Sequence, residues 1–259
     1  MKLRNLVFFF LALSWVPLSS HAAEKIGVVF LHGKSSTPQQ MLGIADYMER
    51  EKFLVSSPEL PWSKQRSFDR TLEESAAEVT TSIADLRKQG ATKVVLVGQS
   101  LGAVFAAYYM GRYPLDAMVG VSPGHTPGAP RYLRDAAESV TKAREMVQRG
   151  EGKDKAGFLD LRSGGREGSV HTTAEIYLEF FAPDGPLAQN NLAGKLNPKI
   201  PMLVIANEKE VGNPNGDLSR VLGYASPESS YELLPGDHTS LIDGPAKPVV
   251  AKWIRTLWK

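Results

Sequence analysis

The nine residues Val94–Gly102, Val-Val-Leu-Val-Gly-Gln-Ser-Leu-Gly, constrain the fold of this chain more than any other stretch. A run of β-branched and leucine residues leads into Gly-x-Ser-x-Gly, and apolar residues at helical spacing follow, so the stretch predicts a buried strand, a sharp turn and a helix. The two glycines allow strand and helix to approach closely. Ser100 is therefore predicted to stand exposed beside the first backbone amides of a helix, which can stabilise negative charge.

Apolar runs separated by helical patterns indicate the fold class. Continuous apolarity is typical of strands that are buried on both faces of a parallel sheet, and apolar residues at steps of three and four indicate the connecting helices. This order predicts an α/β fold with a mostly parallel sheet of about six strands, flanked by helices and joined by right-handed crossovers. The predicted strands are 26–31, 53–56, 94–99, 117–121, 200–206 and 231–234.

The segment 131–195 interrupts this alternation after the fourth strand. Apolar stripes predict one amphipathic helix early in the segment and another late in it, and two β-prone runs around a glycine pair predict a hairpin between them. The helical stripes run from Leu133 to Val147 and from Ile176 to Phe181, and the hairpin strands are 158–162 and 169–173, on either side of Gly164 and Gly165.

Residues 1–22 have the pattern of a secretory signal peptide. Lys2 and Arg4 precede the apolar run 6–13, and Ser20-His21-Ala22 offers small residues for cleavage. This apolar run is shorter than the roughly 20 residues that a bilayer span requires, so we expect no stable membrane insertion after cleavage. The expected location is periplasmic or secreted.

Charge and cysteine content argue against a nucleic-acid partner and exclude thiol chemistry. The formal net charge of +2 equals the contribution of Lys2 and Arg4, so the rest of the chain is neutral overall. Without a basic patch, no nucleic-acid partner is expected. The sequence has no cysteine, which excludes disulfides, a thiol nucleophile and thiolate metal ligands. The composition leaves the oligomeric state open.

The strand, the Gly-Gln-Ser-Leu-Gly turn at 98–102 and the helix after it resemble the nucleophile elbow of the α/β-hydrolase superfamily. The resemblance implies an α/β-hydrolase core made of residues 23–130 and 196–259. It also implies that the insertion 131–195 is a cap or lid over an active site. The alternative is that this insertion is a packing element away from the site.

In that superfamily a serine, an acid and a histidine follow one another along the chain and form a catalytic triad. The resemblance therefore implies that Ser100 is the nucleophile and that His238, after the last predicted strand, is the base. Family members commonly carry the acid, most often aspartate, a few residues past the preceding strand. Glu210 falls at that offset, and Glu208 and Asp217 remain open as alternatives.

The resemblance also implies an oxyanion hole, in which two backbone amides bind the negative oxygen of a tetrahedral intermediate. His32-Gly33 after the first strand resembles the family's oxyanion loop, so the amides would be those of Lys34 and Leu101. His125 follows the strand 117–121 and is a rival base, because it reaches the same edge of the sheet. The residues expected to line the substrate pocket are His32, Gln99, Trp62 and His125.

Together these features predict an exported serine hydrolase, resembling carboxylesterases, that cleaves a small-molecule ester or related acyl substrate through an acyl-enzyme. Neither a metal nor an organic cofactor is expected. A peptidase, a thioesterase or an acyltransferase would use the same triad. A non-catalytic binding protein of the same fold is a further alternative, which the glutamate in place of the commoner aspartate favours.

Overall fold

A single parallel sheet organises the molecule. The computed structural model describes residues 24–161, 167–209 and 226–259. The strands are β1 (Ile26–Leu31), β2 (Leu54–Ser56), β3 (Lys93–Gln99), β4 (Ala117–Val121), β5 (Lys155–Leu161), β6 (Glu167–Thr173), β7 (Met202–Asn207) and β8 (Ser230–Leu234). Within the described residues the parallel sheet has the order β2-β1-β3-β4-β7-β8, and β5 and β6 pair as an antiparallel hairpin.

Helices flank the sheet on both faces. A short 3₁₀ turn (Pro38–Met41) leads into the first of them. The helices are α1 (Leu42–Arg50), α2 (Leu72–Lys88), α3 (Leu101–Met110), α4 (Pro130–Asp135), α5 (Ala137–Gln148), α6 (Ala174–Phe181), α7 (Gln189–Ala193), α8 (Ser240–Asp243) and α9 (Ala246–Leu257). Among the described residues, no helix combines the length and the apolar character needed to cross a bilayer.

The sheet confirms the α/β fold predicted from the apolar runs. β1 and β4 have the predicted bounds, and the other sheet strands differ from prediction by one or two residues at one or both ends. Every residue of β1, β4 and β7 is buried, which explains why these strands do not alternate and, apart from Asn207 at the end of β7, contain no polar side chain. The edge strands β2 and β8 are only partly buried.

Alternate side chains of the central strands enter two separate hydrophobic cores. Val28 and Phe30 pack with α1, α8 and α9 on one face. Val29 and Leu31 pack with α2 and α3 on the other. The larger second core also contains the aromatic residues of the insertion, including Phe180. The insertion therefore shares its hydrophobic core with the sheet.

The insertion contains the predicted hairpin and helices, with one difference. The stripe from Leu133 to Val147 forms two helices, α4 and α5, with the boundary at Ala136. The break places Tyr132 and Met146 in the core, while Leu133 and Val147 are 53% and 39% exposed. The single-helix prediction is therefore wrong. The predicted turn glycines, Gly164 and Gly165, and the predicted signal peptide 1–22 lie outside the described residues.

Candidate active site

The Gly-x-Ser-x-Gly segment forms a tight turn between β3 and α3. Ser100 has φ 54° and ψ −118°, and a positive φ is strained for a residue other than glycine. A Cβ at Gly98 would lie 2.2 Å from Gly102 O, and a Cβ at Gly102 would lie 2.1 Å from Leu31 O. Both glycines are needed because α3 packs directly against the ends of β3 and β1.

The predicted base lies against the predicted nucleophile. His238 lies between β8 and α8, and its Nε2 is 2.9 Å from Ser100 Oγ. The neighbouring Asp237 accepts hydrogen bonds from the backbone N–H groups of Ser240 and Thr239, each at 2.9 Å. These bonds lower the pKa of Asp237 to about 2. The Asp237 carboxylate is therefore used within its own loop, whose shape it fixes.

His32 fixes the peptide that precedes the predicted oxyanion donor. Its Nε2 accepts from Leu60 N at 3.1 Å, so Nδ1 carries the proton and donates to Gly33 O at 2.9 Å. Ser36 N donates to the same oxygen at 3.3 Å. Burial lowers the pKa of His32, which favours this neutral form. In a trans peptide the carbonyl oxygen and the N–H of the following residue point in opposite directions. The Lys34 N–H is therefore directed away from the hydrogen bonds that Gly33 O accepts.

Trp62, predicted to line the pocket, is instead fully buried in the core, as is His32. Trp62 Nε1 donates to His32 O at 2.8 Å, and its ring lies 4.7 Å from that of Phe105 between centroids. Both side chains therefore hold the loop after β1 against the loop after β2 rather than offering surface to a ligand.

Gln99 has a structural connection that the sequence does not reveal. It is 1% exposed, and its Nε2 donates to His238 O at 2.9 Å. Its Oε1 accepts from Gln40 Nε2 at 3.1 Å, and Gln40 Oε1 accepts from Gly33 N at 2.7 Å. Gln40 is not identified by the sequence analysis, because a glutamine early in a helical pattern has no distinguishing feature.

His125 is buried and does not occupy the position of the base. Its Nε2 donates to Phe180 O at 2.6 Å, and the Tyr132 hydroxyl lies 3.1 Å from both His125 Nδ1 and Leu161 O. Burial, and then the positive charge of Lys34, lower the pKa of His125 to about 3. His125 therefore joins the loop after β4 to the insertion as a neutral ring.

Gly124, which the sequence analysis does not single out, faces the serine and histidine. A Cβ at this position would lie 2.9 Å from Ser100 Oγ and 3.1 Å from His238 Cε1. Glycine therefore leaves space beside the two predicted catalytic side chains. The sequence carries only a weak signal for this role, since Gly124 lies in a loop with other glycines and prolines.

The Lys34 side chain connects the predicted oxyanion loop to the insertion. It forms an ion pair with Asp160 of β5, and the two side chains are only 11% and 2% exposed. Lys34 Nζ also donates to Leu161 O at 2.7 Å and lies 5.6 Å from the centre of the Phe181 ring. Sequence reasoning identifies Lys34 for its backbone amide and does not predict this ion pair.

The candidates for the third member of the triad follow β7. Glu210 and Asp217 lie outside the described residues, whereas Glu208 is described and is exposed. Within 24–161, 167–209 and 226–259, histidine and acidic side chains form no cluster of three that could bind a metal ion.

The chain matches solved structures over most of its length, although neither family models nor curated proteins give a sequence match. A thermostable carboxyl esterase from Bacillus coagulans superposes with a TM-score of 0.64 at 12% identity, over 92% of each chain. The α/β hydrolase GrgF from Penicillium gives 0.65 at 12% identity, over 91% of this chain and 90% of its own. A soluble variant of monoglyceride lipase from Saccharomyces cerevisiae gives 0.57 at 12% identity, over 93% and 89%. At such identities the likeness establishes the architecture, and the chain has the α/β-hydrolase fold.

Proposed function

We propose that this protein is an exported serine hydrolase that cleaves an ester or a related acyl bond. The observation that carries the proposal is the 2.9 Å contact between Ser100 Oγ and His238 Nε2, on a strained turn at the start of α3. A serine hydroxyl is a weak nucleophile at neutral pH, and a histidine within hydrogen-bond distance activates it.

In the proposed mechanism His238 accepts the hydroxyl proton as Ser100 Oγ attacks the carbonyl carbon of the substrate. The negative oxygen of the tetrahedral intermediate is bound by the backbone amides of Lys34 and Leu101. Leu101 is the first residue of α3, where backbone amides have no helical partner. Loss of one such donor raises the barrier by about 2.7–4 kcal/mol.

The second half of the reaction reverses these roles. His238 donates the proton to the leaving group as the tetrahedral intermediate collapses, and the acyl group stays on Ser100 as an ester. His238 then takes a proton from the water that attacks the acyl-enzyme and returns it to Ser100 Oγ as the acid product leaves. We assign the orientation of His238 to Glu210, with Glu208 and Asp217 as alternatives. The variants Glu210→Gln, Glu208→Gln and Asp217→Asn separate these candidates, because only loss of the true acid lowers activity by several orders of magnitude.

Two features support the class of substrate and the location. The structural neighbours include a carboxyl esterase and a monoglyceride lipase, which suggests an ester as the substrate. Segment 1–22 supports export to the periplasm or beyond, with cleavage of that segment. A peptidase, a thioesterase or an acyltransferase would use the same residues.

A substrate panel tests this proposal. The mature protein is assayed with p-nitrophenyl esters of increasing acyl length, an acyl thioester and a peptide p-nitroanilide. We expect ester hydrolysis that falls about 10⁴- to 10⁶-fold in Ser100→Ala. His171→Ala is the matched control, because His171 is exposed on β6. Turnover of the thioester or anilide alone would replace the ester assignment, and turnover of none would favour a binding protein.

A further inference from the structure

Two glutamine side chains connect three loops that lie far apart in the sequence. Gln40 belongs to the 3₁₀ turn after β1, and Gln99 is the last residue of β3. The hydrogen bonds run from Gly33 N to Gln40 Oε1 (2.7 Å), from Gln40 Nε2 to Gln99 Oε1 (3.1 Å) and from Gln99 Nε2 to His238 O (2.9 Å). We call this series the glutamine chain.

The backbone groups at its two ends fix the direction of the glutamine chain. The Gly33 N–H can only donate, so it must face the Gln40 oxygen. The His238 carbonyl can only accept, so it must face the Gln99 nitrogen. These two constraints fix the orientation of both carboxamides. The Gln40 nitrogen then faces the Gln99 oxygen and donates the middle hydrogen bond of the series.

The surrounding packing leaves the carboxamides little freedom. Gln99 is almost completely buried. A Cβ at position 33 would lie 2.5 Å from Gln99 Oε1 and 3.2 Å from Gln40 Oε1. The glycine of the His-Gly pair is therefore required by the glutamine chain itself, which packs against the Gly33 backbone.

We propose that Gln40 and Gln99 are positioning residues, which hold the oxyanion loop and the loop of the catalytic histidine at fixed positions relative to Ser100. This inference rests on the proposed function. Neither carboxamide needs to touch the substrate. Gln40 acts through Gly33, the residue before the proposed oxyanion donor Lys34, and Gln99 acts through the backbone of His238.

The variant Gln40→Glu tests the inference, because Gln40 accepts one hydrogen bond and donates the other. The carboxylate can still accept from Gly33 N–H but cannot donate to Gln99 Oε1, so two oxygens face each other. Protonation of the glutamate restores the donor. The variant Gln40→Met removes both bonds at similar volume. Gln39→Glu is the matched control, because Gln39 is the exposed neighbour in the same turn.

The readout is the reaction of Ser100 with a fluorophosphonate probe, measured as the maximal rate of inactivation and the probe concentration at half-maximal rate. At pH 8 we expect the maximal rate of Gln40→Glu and Gln40→Met to fall about 10- to 100-fold, with the half-maximal concentration nearly unchanged. As the pH is lowered from 8 to 5, the maximal rate of Gln40→Glu relative to that of wild type should rise. The relative maximal rates of Gln40→Met and Gln39→Glu should not change with pH.

A flat ratio for Gln40→Glu, with a maximal rate within a factor of about two of wild type at every pH, would overturn the inference. If Gln40→Met does not fold, the comparison of Gln40→Glu with Gln39→Glu decides alone. Wild-type protein that does not react with the probe would refute the proposed function instead, so the two failures are distinguishable.

Discussion

Two polar connections at the carboxyl edge of the sheet differ in kind. The glutamine chain joins loops of the core to one another through neutral groups. The Lys34–Asp160 ion pair joins the core to the insertion through buried charges. Loss of a neutral hydrogen bond leaves buried polar groups at a cost of about 1–3 kcal/mol, whereas removal of one half of a buried ion pair leaves a buried charge and costs about 3–5 kcal/mol. The core connection is therefore expected to affect rate, and the insertion connection to affect stability.

The largest effect is expected on breaking the charged connection. Asp160→Ala removes the buried carboxylate that pairs with the largely buried Lys34 ammonium, so the free energy of unfolding should fall by about 3–5 kcal/mol. The double variant Lys34→Met/Asp160→Leu replaces both charges with apolar groups and should recover most of that loss. Urea denaturation measures both values. The control is Asp85→Ala, which breaks an exposed pair with Lys88 and should cost about 1 kcal/mol or less. Equal losses in Asp160→Ala and Asp85→Ala would contradict the distinction.

A substitution in the core, beside Ser100, should lower the rate of its reaction with little effect on stability. In Gly124→Ala the added methyl group meets Ser100 Oγ at 2.9 Å, so we expect fluorophosphonate labelling to slow about 100-fold. Gly128→Ala is the control, because a Cβ there lies 3.7 Å from its nearest neighbour, Pro183 O. Labelling at the wild-type rate in Gly124→Ala would show that the space beside Ser100 is not used.

An effect that depends on pH is expected at His125, a neutral link between core and insertion. Its pKa is about 3 in the folded protein and about 6.5 in the unfolded chain. The unfolded state therefore binds a proton below pH 6.5 that the folded state does not. This term lowers stability as the pH falls from 6.5 towards 3, by up to about 1.4 kcal/mol per pH unit.

The variant His125→Asn removes this term, and asparagine tolerates the positive φ of 71° at this position. Its free energy of unfolding should depend less on pH between 6.5 and 4.5 than that of the wild type, in denaturation curves measured across that range. His171→Asn, at an exposed histidine, should keep the wild-type slope. Parallel slopes for His125→Asn and wild type would mean that folding does not lower the pKa of His125.

Much of the scaffold could be predicted because local patterns decide it. The buried strands β1 and β4 are continuous apolar runs, and the turn at Ser100 follows from two glycines around a serine. The resemblance to the α/β-hydrolase superfamily also implied that Ser100 and His238 act together, and the two side chains lie in contact.

The missing parts depend on contacts between distant segments. Gln40 has a role only because its carboxamide meets both the Gly33 amide after β1 and Gln99 at the end of β3. The Lys34 side chain finds Asp160 in a hairpin whose placement no local pattern specifies. His32 and Trp62 look like pocket residues from their loops, yet packing and hydrogen bonds place them in the core. The polar partners around each side chain decide whether it lies in the core, joins two loops or faces the site. These partners come from distant segments, so they depend on tertiary structure.

The central claim is that Ser100 is an activated nucleophile, and site-mapped labelling tests it most directly. The mature protein is treated with a fluorophosphonate, digested and examined by mass spectrometry, beside Ser100→Ala, His238→Ala and the control His171→Ala. We expect one adduct on Ser100 in wild type and His171→Ala, and none in the other two variants. An adduct elsewhere, or none in folded wild-type protein under conditions that label a known serine hydrolase, would contradict it.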